Sequence, residues 1–425
     1  MSAAIRAIAL FAPIAAVWSA VTLRRASARD VAAMILSTAW ALLTLSIANV
    51  VAVRAGWWSF QADGAVVEGI PVDLMLGWAL LWGALPVHAA RGLPLPLVAA
   101  TLVWLDLALM PLAHPVVQLG PDWLYGEALT VAVCLLPALL LGRWTADDRR
   151  LPERAVLQVL LSGGLMLGLP IALTEVWRQP AWLAGLGAQL LVVTSLPGVA
   201  AVREFAVAGK GTPLPYDAPA RLVTGGPYAY VRNPMQVSMT ASYLVLGIAD
   251  ARFLLAAGIA FAYGAGLAAW HENEQLTGRH GHAWQGYRAE VRPWIPRLRP
   301  YSGLPPAVVH VAATCAQCAE VGRWIERRRP VALRIVPAED HPRGIRRMTY
   351  ERADGTRAAG VAAFAHAAQH LNLGWALVGW LLLLPFIGWF AQLCADALGA
   401  GPRSVRWPEG SAGHRCENAP EVSGR

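Results

Sequence analysis

Val31 to Val53 reads VAAMILSTAWALLTLSIANVVAV, with no charged side chain anywhere in it. A helix rises 1.5 Å per residue, so about 20 such residues match the ~30 Å hydrocarbon core of a bilayer. The same ruler, carried outward, finds eight more stretches: Ala4 to Leu23, Ile70 to Ala90, Leu93 to Ala113, Tyr125 to Gly142, Ala155 to Thr174, Trp182 to Val202, Met235 to Ala249 and Ala251 to Trp270. The last two read as a tight hairpin turning at Asp250. The expected fold class is therefore a polytopic α-helical membrane protein with about nine spanning helices.

Composition agrees. The 425 residues are 56% hydrophobic and 15% charged, against about 25% charged in an average soluble domain, and the mean hydropathy is +0.45. A solvated, disordered or nucleic-acid-wrapping chain is excluded. The net charge of +8 reflects arginines lying singly or in pairs between apolar blocks, so no nucleic-acid partner is expected. One set of alternate loops holds Arg24, Arg25, Arg29, Arg91, Arg143, Arg149, Arg150, Arg154, Arg203, Lys210, Arg221 and Arg232. The opposite set holds only Arg6, Arg54, Arg178 and Arg252. Positive charge favours the cytoplasmic side, which predicts a multi-pass inner-membrane protein with its N-terminus outside and everything after Trp270 in the cytoplasm. Arg24 and Arg25 follow the first apolar block instead of preceding it, so that block reads as a retained helix and not a signal peptide. Trp57, Trp58, Trp123, Trp177 and Trp182 fall near helix ends as interfacial anchors. Asp73 is expected near a helix end. Asp106 lies inside an apolar block, where a carboxyl either serves transport or is hydrogen-bonded within the bundle.

The chemistry-bearing stretch runs from Arg221 to Pro296. It opens RLVTGGPYAYVRNPM and closes AAWHENEQLTGRHGHAWQGYRAEVRPWIP. Gly225, Gly226 and Pro227 predict a tight turn whose backbone N–H groups are free to meet a ligand. Tyr228 and Tyr230 flank it, and Arg232 precedes Pro234, which opens a helix. The hairpin's return brings Glu272 and Glu274 back toward Arg232.

These residues resemble the membrane methyltransferase family that includes isoprenylcysteine carboxyl methyltransferases and phospholipid N-methyltransferases. Gly226, Pro227, Tyr228, Tyr230, Val231, Arg232, Pro234 and Met235 match its first motif, and Glu272, Leu276, Gly281, Tyr287, Val291, Trp294 and Pro296 its second. The resemblance, covering about Ala155 to Pro300, implies an S-adenosylmethionine site and an acceptor entering from the lipid. It implies cofactor contacts from Gly226, Pro227, Tyr228, Tyr230, Arg232, Asn233, Pro234, Glu272, Glu274 and Tyr287, with Arg232 and Glu272 as the catalytic pair. Asn233 stands at the family's usual His, Gln236 at a Tyr, and Asn273 at the second Glu of a pair. Glu274 would have to replace that Glu from about 100° away around a helix. Methyl transfer from a sulfonium is an in-line displacement, so alignment and water exclusion supply most of the acceleration. Glu272 could take a proton from an amine or thiol acceptor, whereas a carboxylate acceptor would pair with Arg232. His271, His280 and His282 have no cysteine nearby, and the resemblance implies that Gly278 to His282 is the family's variable turn, so no metal is expected.

Beyond Ala307 the composition shifts. Val308 to Ala312 reads as a strand, Cys315-Ala-Gln-Cys318 opens a helix ending in Arg327 to Arg329, Val331 to Val336 and Arg347 to Glu351 read as strands, and Asp354-Gly355 is a hairpin turn. Strand, CxxC, helix and strand is the thioredoxin order, in which the helix N-terminus lowers the first thiol's pKa. The pair is open to redox, structural or metal readings. The segment resembles the DCC family of thiol-disulfide oxidoreductase-like domains through Cys315, Cys318, Asp354, Gly355, Gly360 and Pro385, with Ala313-Thr314 in place of the family's Asp-Gly. That resemblance implies a redox module with a thiol or disulfide partner. Leu371 to Leu393 is long enough to span but is interrupted by Pro385 and Gly388. Cys394 and Cys416 have no evident partner.

The expected organisation is N-terminal membrane helices (1–154), a methyltransferase-like core (155–300), a thioredoxin-like α/β domain (307–400) and a disordered tail (401–425). The expected function is an S-adenosylmethionine-dependent membrane methyltransferase acting on a lipid or lipophilic small-molecule acceptor. The alternatives are a membrane-anchored thiol-disulfide oxidoreductase and a non-enzymatic scaffold or transporter.

Overall fold

The computed structural model describes residues 2–174, 176–212 and 221–404. The chain is predominantly helical and divides into two compact units, residues 1–178 with 211–218, and residues 179–210 with 219–425.

The first unit contains α1 (Ser2–Leu23), α2 (Ala28–Ala55), α3 (Val72–Trp82), α4 (Ala84–Ala89), α5 (Leu95–Leu109), α6 (Trp123–Thr130), α7 (Leu136–Ala146), α8 (Leu151–Gly163) and α9 (Leu169–Thr174). Single π-turns join α6 to α7 and α8 to α9. Short strands β1 (Trp58–Phe60), β2 (Val66–Val67), β3 (Ile70–Pro71) and β4 (Val117–Leu119) form two antiparallel ribbons, β1 with β4 and β2 with β3. Ser27 and Asp30 close a reciprocal capping box that starts α2. Its core face buries Ala41 and Leu45 against Trp82, Leu135 and Leu139. Close packing of α3 on α1 requires Gly77, where a Cβ would stand 1.9 Å from the Ala9 carbonyl oxygen.

The loop arginines of this unit do structural work that the charge count alone did not show. Arg143 donates to the Ala90, Arg91 and Leu93 carbonyls. Arg91 pairs with Asp30 and Asp147, and fully buried Arg154 with Asp148.

The second unit begins with α10 (Ala181–Glu204), followed by the hairpin α11 (Pro234–Gly247) and α12 (Arg252–Tyr263), and then α13 (Ala269–Glu290). Polar and small residues fit α11 to α10: Ser238 faces Gly198, and the Thr194 and Ser242 hydroxyls are 3.0 Å apart. Segment 278–282, expected as a turn, is helical within α13 apart from a kink at Gly281 (φ 46°, ψ −117°).

The small sheet comprises β5 (Ala307–Val311), β6 (Leu333–Pro337), β7 (Thr349–Arg352) and β8 (Arg357–Ala359), ordered β6-β5-β7-β8. β5 and β6 are parallel through α14 (Ala316–Arg327), whereas β7 is antiparallel to both β5 and β8. Val309, Val311 and Ile325 bury against α15 (Val361–Ala368) and the turn after it. α16 (Leu373–Leu382) and α17 (Pro385–Ala395) follow.

The expectation of about nine spans is corrected. Among the described residues seven helices are long and apolar enough to cross a bilayer, or eight if the segment 373–400 is one broken span. α11 has 14 residues, about 21 Å of rise, and the apolar part of the next helix runs only from Arg252 to Gly266. The apolar segment near Leu371 to Leu393 bends by 92° between α16 and α17, because Pro385 lacks an N–H and restricts Leu384. Of the expected tail, 405–425 lies outside the described residues.

Candidate functional site

The glycine-tyrosine turn at 225–235 and the segment at the end of α13 meet in space. The segment after α13 lies along the turn at 226–232 through three backbone hydrogen bonds: Arg232 N–H to Arg292 O (2.9 Å), Arg297 N–H to Tyr230 O (2.9 Å) and Tyr301 N–H to Ala229 O (2.8 Å). Tyr287, buried on α13, donates to the Tyr228 carbonyl at 2.8 Å.

The glycine turn itself departs from expectation. Gly226 has φ +58°, and a Cβ on Gly225 would stand 2.6 Å from both Arg352 Nη1 and Glu204 Oε1. Its N–H groups are partly spent within the turn, Tyr228 on Gly225 and Tyr230 and Val231 on Pro227. The glycines are thus demanded by backbone conformation and by a buried ion pair, not only by access for a ligand.

The two tyrosines diverge. Tyr228 packs on Phe205, ring centroids 5.3 Å apart, and its buried hydroxyl has no hydrogen-bond partner. Tyr230 turns the other way, onto Trp380 (5.8 Å), and donates to the Gln369 carbonyl at 2.8 Å. The ring of Tyr230, expected as a cofactor contact, lies in the core with Leu196, Leu304 and Trp380. Burial raises the pKa of Tyr228, Tyr230 and Tyr287, so all three stay neutral donors.

Arg232 lies 5.6 Å over the Trp284 ring. Burial lowers its pKa first and neighbouring Arg288 second, while Tyr287 and Glu272 oppose the shift. Glu272 is exposed on the first turn of α13 and interacts electrostatically with both Arg232 and Tyr228. Asn273 accepts from Trp284 Nε1 (3.2 Å) and from Arg288 Nη1 (2.5 Å), so an amide carbonyl gathers these side chains. Glu274 is exposed. Pro234 occupies the first position of α11, and Asn233 before it is buried without capping the helix through its side chain. Buried polar atoms of Gln236, Ser238 and Thr240 lack partners on the next turns of α11.

At the sheet, Cys315 is the N-cap of α14, and its sulfur accepts the Cys318 N–H at 3.4 Å. The neighbouring Cys318 thiol lowers the Cys315 pKa, aided by backbone N–H groups and by Arg403, whose Nη1 is 3.7 Å from Cys315 Sγ. Burial and the neighbouring sulfur push Cys318 up to about 11. Cys318 lines an apolar cavity of about 270 Å³ with Val321, Met348 and Phe364.

Two groupings were not foreseen. Arg352 Nη2 pairs with Glu204 (2.6 Å) and Asp354 (2.7 Å), joining the end of α10 to the hairpin of the sheet. Ligand atoms of His310, His341 and Glu351 lie within 4.8 Å of one another. Arg343 N–H donates to His341 Nδ1 at 3.2 Å, which assigns that ring's proton to Nε2, facing Glu351 at 3.5 Å. Glu351 also binds Arg357 at 2.9 Å. Within the trio His310 Nε2 stands 3.7 Å from Glu351, and in this tautomer the His341 nitrogen that faces Glu351 carries the proton. In the first unit, Asp73 is indeed at a helix start, paired with Arg6 at 2.7 Å.

Compared with family models, curated proteins and solved structures, the chain has no match in any of the three.

Proposed function

We propose that the chain is an integral-membrane methyltransferase dependent on S-adenosylmethionine, acting on a lipidic or lipophilic acceptor. The observation that carries this reading is the convergence of Arg232 and Glu272, from opposite sides of the hairpin, beside Tyr287 and Tyr228. The residues fit the cofactor. Arg232 can bind its carboxylate, the unpartnered Tyr228 hydroxyl offers a buried donor to a polar atom of the ligand, and Glu272 is left to the acceptor. When bound, the cofactor supplies an electrophilic methyl group. The protein's part is to align, through the rigid turn at 226–232, and to exclude water with Trp284 and Tyr287. Glu272 is exposed enough to accept a proton from an amine or thiol acceptor and pass it to solvent. The arginine distribution supports a cytoplasmic position for these motifs.

Membranes containing the chain, given radiolabelled methyl donor, should yield a labelled lipid-extractable or protein product. Arg232→Ala and Glu272→Ala should each reduce labelling at least tenfold. Absence of donor binding by the purified wild-type chain would reject the reading.

The Cys315–Cys318 pair favours a second activity, thiol-disulfide exchange by the C-terminal module. The strand order β6-β5-β7-β8, with the pair opening the crossover helix, supports the thioredoxin-like reading. Cys315 thiolate would attack a partner disulfide, and Cys318 would resolve the mixed disulfide, leaving the partner reduced and the pair oxidised. Differential alkylation after mild oxidant should reveal a Cys315–Cys318 disulfide. A pair that stays reduced would remove this activity.

A further inference from the structure

The first unit holds a cavity of about 340 Å³, within the size range of small-molecule sites. Ile8 and Ala12 of α1, Trp78 and Leu81 of α3, and Leu109 of α5 make it apolar, and Asp106 is the only charged residue among its described lining residues. Asp106 is 4% exposed, and its Oδ2 has no hydrogen-bond partner. Glu127 of α6, 3% exposed, lies within hydrogen-bonding reach of Asp106, and although the Thr130 hydroxyl stands beside it neither of its carboxyl oxygens completes a hydrogen bond of normal geometry. The Trp78 indole N–H stands beside Asp106 and completes no hydrogen bond of normal geometry.

An ionised carboxylate only accepts hydrogen bonds. Two carboxyl groups in contact are satisfied by a proton held between them or by a cationic donor brought to them, and leaving them unsatisfied at this depth is costly. Asp73, by contrast, already has Arg6. A bare metal ion fits poorly, because hard cations want about six oxygen ligands and the remaining lining is apolar. A fatty anion is repelled by the acid pair, and a neutral alcohol leaves its charge uncompensated.

We infer that this cavity is a binding site for a lipophilic amine, whose ammonium group meets Asp106, backed by Glu127, while its hydrocarbon chain fills the space between α1, α3 and α5. The site is independent of the methyltransferase reading.

The test uses the full chain in a neutral detergent, with native mass spectrometry counting bound decylamine, decanol and decanoate. Decylamine should bind saturably at one per chain, at least tenfold more tightly than the other two. Asp106→Asn should weaken it at least tenfold. Ala12→Leu, which narrows the cavity from α1 without touching either carboxyl, should also weaken it. Equal binding of decanol or decanoate, no decylamine binding, or unchanged binding in Asp106→Asn would overturn the inference. Should Asp106→Asn fail to fold, unchanged decylamine binding in Ala12→Leu overturns it alone.

Discussion

Glu204 and Arg352 are separated by most of the second unit's sequence, yet their side chains meet at 2.6 Å with only 5% and 4% exposed. Desolvated charges of this kind are tolerable only in company, and Asp354 completes the set at 2.7 Å. Replacing Arg352 by Met should cost about 3–5 kcal/mol, because Glu204 and Asp354 are then buried uncompensated. A double change, Arg352→Met with Glu204→Leu, should recover part of that loss in thermal unfolding. A single variant as stable as the wild type would show that the pair is hydrated. The cysteines give a second prediction at this scale. Cys318 is pushed up to about 11 and Cys315 is held below the ordinary thiol value, principally by the Cys318 thiol beside it. At pH 7.5 iodoacetamide should therefore modify Cys315 several times faster than Cys318, read by peptide mass spectrometry. Cys318→Ala should slow Cys315 by removing that neighbouring donor. Equal rates at the two positions would contradict the arrangement. The pair was legible from its spacing, but Arg403 was not: nothing local links it to a sulfur 88 positions earlier.

At the scale of elements, legibility followed the range of the interactions that set each one. The alternating burial of β5, with Ala307, Val309 and Val311 inward, is written in its apolar residues. The Asp354-Gly355 turn between β7 and β8 was readable for the same reason, since Gly355 adopts φ +94°. The kink in α13 was not readable, because a glycine inside a helical pattern does not announce which way the chain will bend. Nor was the role of the turn following α15. There His370 donates through Nδ1 to the Val331 carbonyl at 2.6 Å and accepts the Tyr350 hydroxyl at Nε2 at 2.8 Å, so its neutral ring joins the helix end to β7 and to the start of β6. His366 stacks on Tyr350 at 5.1 Å. Burial, the leading cause for both, depresses His366 to about 3 and His370 to about 4 from 6.5. The unfolded chain binds protons at these rings below pH 6.5 and the folded chain does not, so stability is full above 6.5 and falls as pH drops toward 4. The slope should approach about 1.4 kcal/mol per pH unit for each ring. Chemical denaturation between pH 7 and 4.5 should show it, and His370→Gln, which keeps a donor and an acceptor, should flatten it. A wild-type profile already flat over that range would mean the rings are solvated.

For the molecule as a whole, the sequence counted apolar length correctly for most helices and overcounted at the α11–α12 hairpin. The apolar run of α11 ends in the turn at 248–250, and that of α12 continues through a π-turn (Gly264–Ala268) into the polar helix α13, so a hydropathy window does not see where each apolar helix stops. The arginines likewise have a double use. Arg91 and Arg143 bind carboxylates and helix-end carbonyls, so part of the positive bias is packing and not only orientation. What the hairpin does in a bilayer follows from its partner. Gln179, at the start of α10, donates to the Ala249 carbonyl at 3.3 Å, which sets the hairpin tip level with the beginning of a helix that itself has spanning length, Ala181–Gly209. Neither helix of the hairpin, 14 and 12 residues, has spanning length of its own, but if α10 crosses the bilayer the hairpin tip is carried to the same face through a thinned or protein-lined layer. In a cysteine-free chain, Asp250→Cys should therefore react with a membrane-impermeant maleimide from the side opposite to the one that labels Arg221→Cys. Labelling of both positions from one side would make the hairpin re-entrant. It would then leave Arg232 and Glu272 facing a loop that dips into the membrane instead of a bundle that traverses it.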